Sequence, residues 1–142
     1  MSRADVLWPL FALAAWTVCM LLFVAARRVH GGVTGKAHAR EYALGESPAV
    51  PPPIALPNRN YMNLLELPVL FYVVCLMAYV TGAVSPLMVA LAWTYVALRV
   101  VHSLVHVTYN RILHRFTAFA ASNFVLVALW MLVGIALARG AG

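Results

Sequence analysis

Four apolar runs decide most of what this chain can fold into. They extend roughly from Leu7 to Ala26, Tyr61 to Gly82, Leu87 to Val107 and Phe116 to Ala138, and each is near the length of about 20 residues that crosses hydrocarbon as a helix. A segment in lipid must satisfy its own backbone polar groups, so these runs predict helices rather than loops or open strands. Composition agrees. Of 142 residues, 64% are hydrophobic and 10% charged, whereas charged residues make up about a quarter of a soluble domain. The expectation is an all-α integral membrane protein, a single domain over 1–142 folded as a four-transmembrane-helix bundle. Its helices are expected roughly at 5–28, 58–82, 86–112 and 115–139, with a long connection at 29–57.

The net charge of +6 is explained by topology. Arg27, Arg28, Lys36, Arg40 and Arg59 lie between the first two spans, Arg111 and Arg115 follow the third, and the second connection, Thr81 to Pro86, holds no basic residue. The positive-inside rule then puts the first and third connections in the cytoplasm and both termini on the other side, in a bacterial inner membrane or an endomembrane. Basic residues so placed point to membrane lipids as partners and away from nucleic acid. Val24-Ala25-Ala26 loosely resembles a signal-peptide cleavage site, but the apolar run before it is longer than the usual 7 to 15 residues, so a retained helix is expected. Cys19 and Cys75 fall inside spans, where a thiol acts as a small buried hydrophobe.

In the first connection GGVTGK (31–36) reads as flexible and ESPAVPPPIALPNRN (46–60) as a proline-rich spacer or lid. GGVTGK lacks the spacing of a phosphate-binding loop and follows no strand. Asn58 is placed to cap the second helix.

Polar residues inside the spans are the functional signal, because ionisable groups are expensive there. Tyr95, Arg99, His102, Ser103, His106 and Asn110 form one stripe, all within roughly 50° of a common direction on a helix. On the second helix Arg59, Asn63 and Glu66 share a face at i, i+4, i+7, and Pro68 interrupts the backbone ladder beside them. At about 1.5 Å per residue from the cytoplasmic ends, Glu66 and the Arg99–His102 stretch reach similar depths, near 10 Å. A Glu66–Arg99 pair supported by Asn63 is therefore expected, either as a clasp that fixes packing or as part of a site. Asn123 is the strong internal polar group of the fourth helix. His102 and His106 have zinc-compatible spacing but no third ligand is evident, so no metal is expected. The fitting chemistry is an anion site open to the cytoplasm, built from Arg59, Arg99, Arg111 and Arg115 with Asn63, Glu66 and Asn110 orienting a small polar ligand.

Two motifs, R-x3-N-x2-E-x-P (Arg59, Asn63, Glu66, Pro68) and R-x2-H-x3-H-x3-N-x4-R (Arg99, His102, His106, Asn110, Arg115), on four spans with a long first connection, resemble the MAPEG family. These are membrane-associated proteins in eicosanoid and glutathione metabolism. The resemblance covers nearly the whole chain and implies a homotrimer with glutathione, a substrate, bound between neighbours near the cytoplasmic face. It implies that Arg59, Asn63 and Glu66 hold the tripeptide, that Arg99 belongs to the same site, and that Arg115, or failing it Arg111, stabilises the thiolate. The implied activity is that of a glutathione transferase or peroxidase acting on lipophilic electrophiles from the bilayer. The alternative is a non-catalytic trimeric scaffold, or a lipid- or other-anion-binding protein, of the same fold. Where family members that use glutathione often carry tyrosines on the third helix, this chain has His102 and His106, and Leu67 stands where tyrosine often follows the glutamate.

Overall fold

A computed structural model describes residues 2–43 and 45–140. It contains five α-helices: α1 (Leu7–Val33), α2 (Pro52–Leu65), α3 (Pro68–Thr81), α4 (Pro86–Val107) and α5 (Ile112–Ala138). α2 and α3 together form one span, so four helical segments are long and apolar enough to cross a membrane. The protein is an all-helical membrane protein. α4 packs most extensively on α5, α1 lies against α2 and α4, and α3 contacts α5 and α1. The core runs through Leu13, Leu64, Phe71, Val74, Cys75, Met88, Ala92, Tyr95, Leu126 and Leu129. Phe71 and Tyr95 stack at its centre, with ring centroids 4.5 Å apart. Large apolar side chains such as Trp8, Val80, Phe124 and Met131 point outward, as suits a surface in contact with lipid.

The helix ends differ from the sequence reading in four places, each for a local reason. α1 runs on through His30-Gly31-Gly32-Val33, so half of the apparently flexible GGVTGK is helical. Gly31 is buried because Ile54 packs on it, and a Cβ there would stand 2.5 Å from Ile54 Cδ1. The helix stops at Gly35, whose φ of +66° is the left-handed geometry that glycine adopts without strain. Two further N–H groups, of Lys36 and Ala37, close the turn on the Gly31 carbonyl.

α2 begins at Pro52 rather than near Asn58, which lies inside the helix and caps nothing. Prolines in a first turn lack only donors that have no intrahelical partner, and their φ is already helical. That added turn carries Ile54 and Ala55 into a small apolar cluster with Ala37 and Val50, against which Tyr42 packs. The connection is thereby held to the end of α1. Arg28 Nη2 lies 3.8 Å from Glu46 Oε2, and the Arg28 guanidinium sits 4.8 Å from the Tyr42 ring centroid. Burial is the main influence raising the Tyr42 phenol above its ordinary 10.0, opposed by the Arg28 charge.

The expected single helix over 58–82 is broken between Leu65 and Pro68. Glu66 leaves helical geometry (φ −85°, ψ −102°) and Pro68 starts α3. The last four carbonyls of any helix lack intrahelical donors, and one of them, that of Asn63, accepts a hydrogen bond of 2.5 Å from Arg99 Nη2. Arg99 is fully buried. The expected Glu66–Arg99 ion pair is not formed: among the described residues the one ion pair is Arg28–Glu46, and Glu66 is exposed. The proline break supplies a backbone oxygen that reaches the cation first.

The boundary between the last two helices also shifts. α4 ends at Val107 and α5 starts at Ile112, because Asn110 adopts φ +46° and donates its N–H to the Val105 carbonyl at 2.8 Å. This is a left-handed helix termination of the kind asparagine accommodates.

Two outcomes follow from these contacts. Arg28→Ala removes an ion pair and a cation–π contact, each worth up to about 1 kcal/mol. Tryptic cleavage at Lys36 and Arg40 is expected to accelerate about tenfold, with the global melting temperature nearly unchanged. Glu66→Ala is expected to move thermal stability by less than about 0.5 kcal/mol, whereas Arg99→Ala opens a cavity and orphans the Asn63 carbonyl, at a cost of about 3 kcal/mol or more. Equal losses in the two variants, measured by thermal unfolding in detergent, would restore the Glu66–Arg99 pair.

Candidate functional site

At the end of the bundle where α2, α4 and α5 meet, a cavity of about 380 Å3 opens, within the size range of small-molecule sites. α2 contributes Arg59 and Asn63, one turn apart on the same face. α4 contributes His102 and His106, again one turn apart. The first two turns of α5 supply Arg115 with an apolar wall of Ile112, Phe116 and Phe119. Five of the nine residues expected from sequence therefore line one cavity.

The other four are placed differently. Arg99 lies behind the wall with its guanidinium 5.7 Å from the Phe119 ring centroid, and reaches α2 through the Asn63 carbonyl. Asn110 acts on Arg115, whose Nη1 donates to Asn110 Oδ1 at 2.8 Å. Arg111 is exposed at the start of α5 and does not line the cavity, so of the two candidate arginines it is Arg115 that faces the site. Glu66, exposed at the helix break, does not line it either.

The histidines are not loose. His102 Nδ1 lies 3.1 Å from the main-chain oxygen of Arg115, and since a carbonyl only accepts, Nδ1 carries the hydrogen. The His102 and His106 rings meet edge-on with centroids 5.8 Å apart. Several buried polar atoms around them have no protein partner: His102 Nε2, Ser103 Oγ, His106 Nδ1, and Arg99 Nε and Nη1. An orphaned buried group costs about 1 to 3 kcal/mol, and five such atoms gather around these two rings.

Sequence reasoning missed Asn60. It is completely buried with both amide atoms unpartnered, and its signal was an amide beside Arg59 immediately before the second apolar run. It also missed the phenylalanine wall, because Phe116 and Phe119 look like ordinary lipid-facing residues until α5 is placed. Among the described residues no cluster of three metal-ligating side chains occurs.

The arrangement can do two things. Arg59 and Arg115 offer a pair of cations to an anionic ligand, and Arg115 sits in the first turn of α5, where the helix dipole adds positive potential. The phenylalanine wall continues into a second groove along α5, through Ala120, Asn123 and Val127, so the polar site borders an apolar surface.

No curated protein and no solved structure matches the chain. The family model of the MAPEG family matches residues 6–135, a range that contains every residue of the cavity and reaches into all four membrane-crossing segments. The chain belongs to the MAPEG family.

Proposed function

We propose that the chain is a membrane glutathione transferase-like enzyme that assembles as a homotrimer. Glutathione would bind with its carboxylates on Arg59 and Arg115 and its thiol beside Arg115, while lipophilic electrophiles or peroxides arrive along the apolar groove of α5. The observation that carries this reading is the placement of Arg59, Asn63, His102, His106 and Arg115 around one cavity whose remaining wall is apolar. A doubly acidic tripeptide fits the cations and a hydrophobic co-substrate fits the wall.

The role of Arg115 is electrostatic. A free thiol has a pKa of about 8.5, and lowering it by two units takes about 2.7 kcal/mol of preferential thiolate stabilisation. A guanidinium in a partly water-excluded cavity supplies interactions of this size. The thiolate then attacks carbon of an electrophile, displacing a leaving group or adding to an activated double bond. Alternatively it attacks oxygen of a peroxide, breaking the O–O bond to release an alcohol and leave a glutathione sulfenic acid, which a second glutathione converts to the disulfide and water. Glu66, outside the cavity of its own subunit, is exposed for contact with ligand or chain at a subunit boundary, which is where a trimer would place it.

A second reading, a non-catalytic member of the same fold that binds another anion or a lipid headgroup, is favoured by one observation. Buried histidines occupy the cavity where glutathione-using relatives often have tyrosines, and Glu66 is turned away from it.

The test uses the purified protein in lipid nanodiscs. Native mass spectrometry is expected to give a trimer, calorimetry to show glutathione binding, and ultraviolet difference spectra to show thiolate at neutral pH. Arg115→Ala is expected to lose the thiolate signal, about 100-fold in thiolate-to-thiol ratio, while Arg111→Ala keeps it. Absence of glutathione binding with retained binding of acidic lipid would select the second reading.

A further inference from the structure

Arg115 is a long, rotamer-rich side chain, and a cation that stabilises a developing charge must be held before the charge appears. The structure holds it at two points. His102 Nδ1 donates to the main-chain oxygen of Arg115, fixing the first turn of α5 against α4. At the other end, Asn110 Oδ1 accepts from Nη1 at 2.8 Å. A guanidinium can only donate, so the amide must present its oxygen. Asn110 itself is immobilised by the left-handed turn (φ +46°) and by its N–H on the Val105 carbonyl.

We infer that Asn110 is a positioning residue: its side-chain oxygen, aimed by the left-handed α4–α5 turn, sets the Arg115 guanidinium in the cavity. An amide suits this task better than a carboxylate because it orients the cation without neutralising it. The main-chain tether from His102 acts in parallel and survives protonation of the ring, since Nδ1 donates in both states. The charged and titratable groups around this tether are Arg99 and His106 on α4, Arg59 on α2 and Arg115 itself on α5. For catalysis the inference rests on the glutathione reading, but the geometry of Arg115 can be examined with no ligand present.

Two substitutions separate the contributions. Asn110→Gly keeps the left-handed turn, which glycine favours, and removes only the acceptor. Asn110→Asp keeps the acceptor in a residue that tolerates the same turn but adds a negative charge. In ligand-free nanodiscs, arginine modification by phenylglyoxal is followed by peptide mass spectrometry, with Arg59 as internal reference. Asn110→Gly is expected to speed modification of Arg115 about tenfold, as for the loss of a hydrogen bond to a charged group, with Arg59 unchanged. Asn110→Asp is expected to leave Arg115 as protected as in the wild type.

With glutathione, Asn110→Gly is expected to raise the pH midpoint of thiolate formation by about one unit, and Asn110→Asp to raise it as well, because the carboxylate offsets the guanidinium charge. Glutathione affinity should change less than about threefold in Asn110→Gly, since Arg59 is untouched and the Arg115 charge remains. An unchanged Arg115 modification rate in Asn110→Gly, or an equally fast rate in Asn110→Asp, overturns the positioning role. If the wild type binds no glutathione while Asn110→Gly still frees Arg115, the glutathione reading fails and the positioning role stands.

Discussion

A buried arginine in a membrane-crossing helix governs how the rest of this bundle is arranged. Arg99 is fully enclosed, and a cation at such depth costs about 2.5 to 3.5 kcal/mol even on insertion scales that allow adjustment. The protein meets this with a backbone oxygen. Breaking the second span at Glu66 and restarting it at Pro68 leaves the carbonyls at the end of α2 without intrahelical donors, and the Asn63 carbonyl is turned to Arg99. Broken helices at membrane depth are tolerated where the exposed backbone faces protein groups instead of lipid. The break and the arginine therefore require each other: either alone would leave a polar group in hydrocarbon.

This coupling also locates the cavity. Because Arg99 ties α4 to the last turn of α2, Arg59 and Asn63 are set opposite His102 and His106, and the short turn through Asn110 returns α5 so that Arg115 closes the ring. Among the described residues, the hydrogen bonds that cross between the helices here run from side chain to backbone: Arg99 to Asn63 O and His102 to Arg115 O. Fixing the helices through main-chain atoms leaves the ends of Arg59 and of the second face of each imidazole uncommitted, which is what a ligand site needs.

Much of this was legible in the sequence because lipid restricts the options so severely. The four spans follow from apolar length alone, and the cavity-lining set Arg59, Asn63, His102, His106 and Arg115 follows from polar residues that share helix faces. The Glu66–Arg99 pair was misjudged because opposite charges at equal depth suggest a contact, whereas the decisive partner was a carbonyl whose freedom depended on where the helix broke. Pro68 announced that a carbonyl would be freed but not which one, or that the break would turn Glu66 outward. The starts of α2 and α5 were missed for related reasons. Prolines read as linker are equally good first-turn residues, and asparagine read as a ligand contact is equally good as a left-handed cap. Asn60 shows the remaining limit: a lone amide beside an arginine carries no sign of which way it faces until the face of α2 that packs on α1 and α4 is known.

The electrostatic balance of the cavity bears on stability as well as chemistry. Arg59, Arg99 and Arg115 surround one end of the bundle, and among the described residues none of them has a carboxylate within ion-pair distance. Three cations converging in a partly dry region repel one another and gain little from screening. An anion bound there relieves that repulsion only in the folded state, so it adds binding free energy to folding, about 2.7 kcal/mol at a free concentration 100 times its dissociation constant. A carboxylate in the same place would give the same relief permanently, but it would also cancel the positive field that Arg115 supplies to the cavity. With Glu66 outside and an amide at position 110, the positive potential of the cavity is left without a neutralising carboxylate among the described residues.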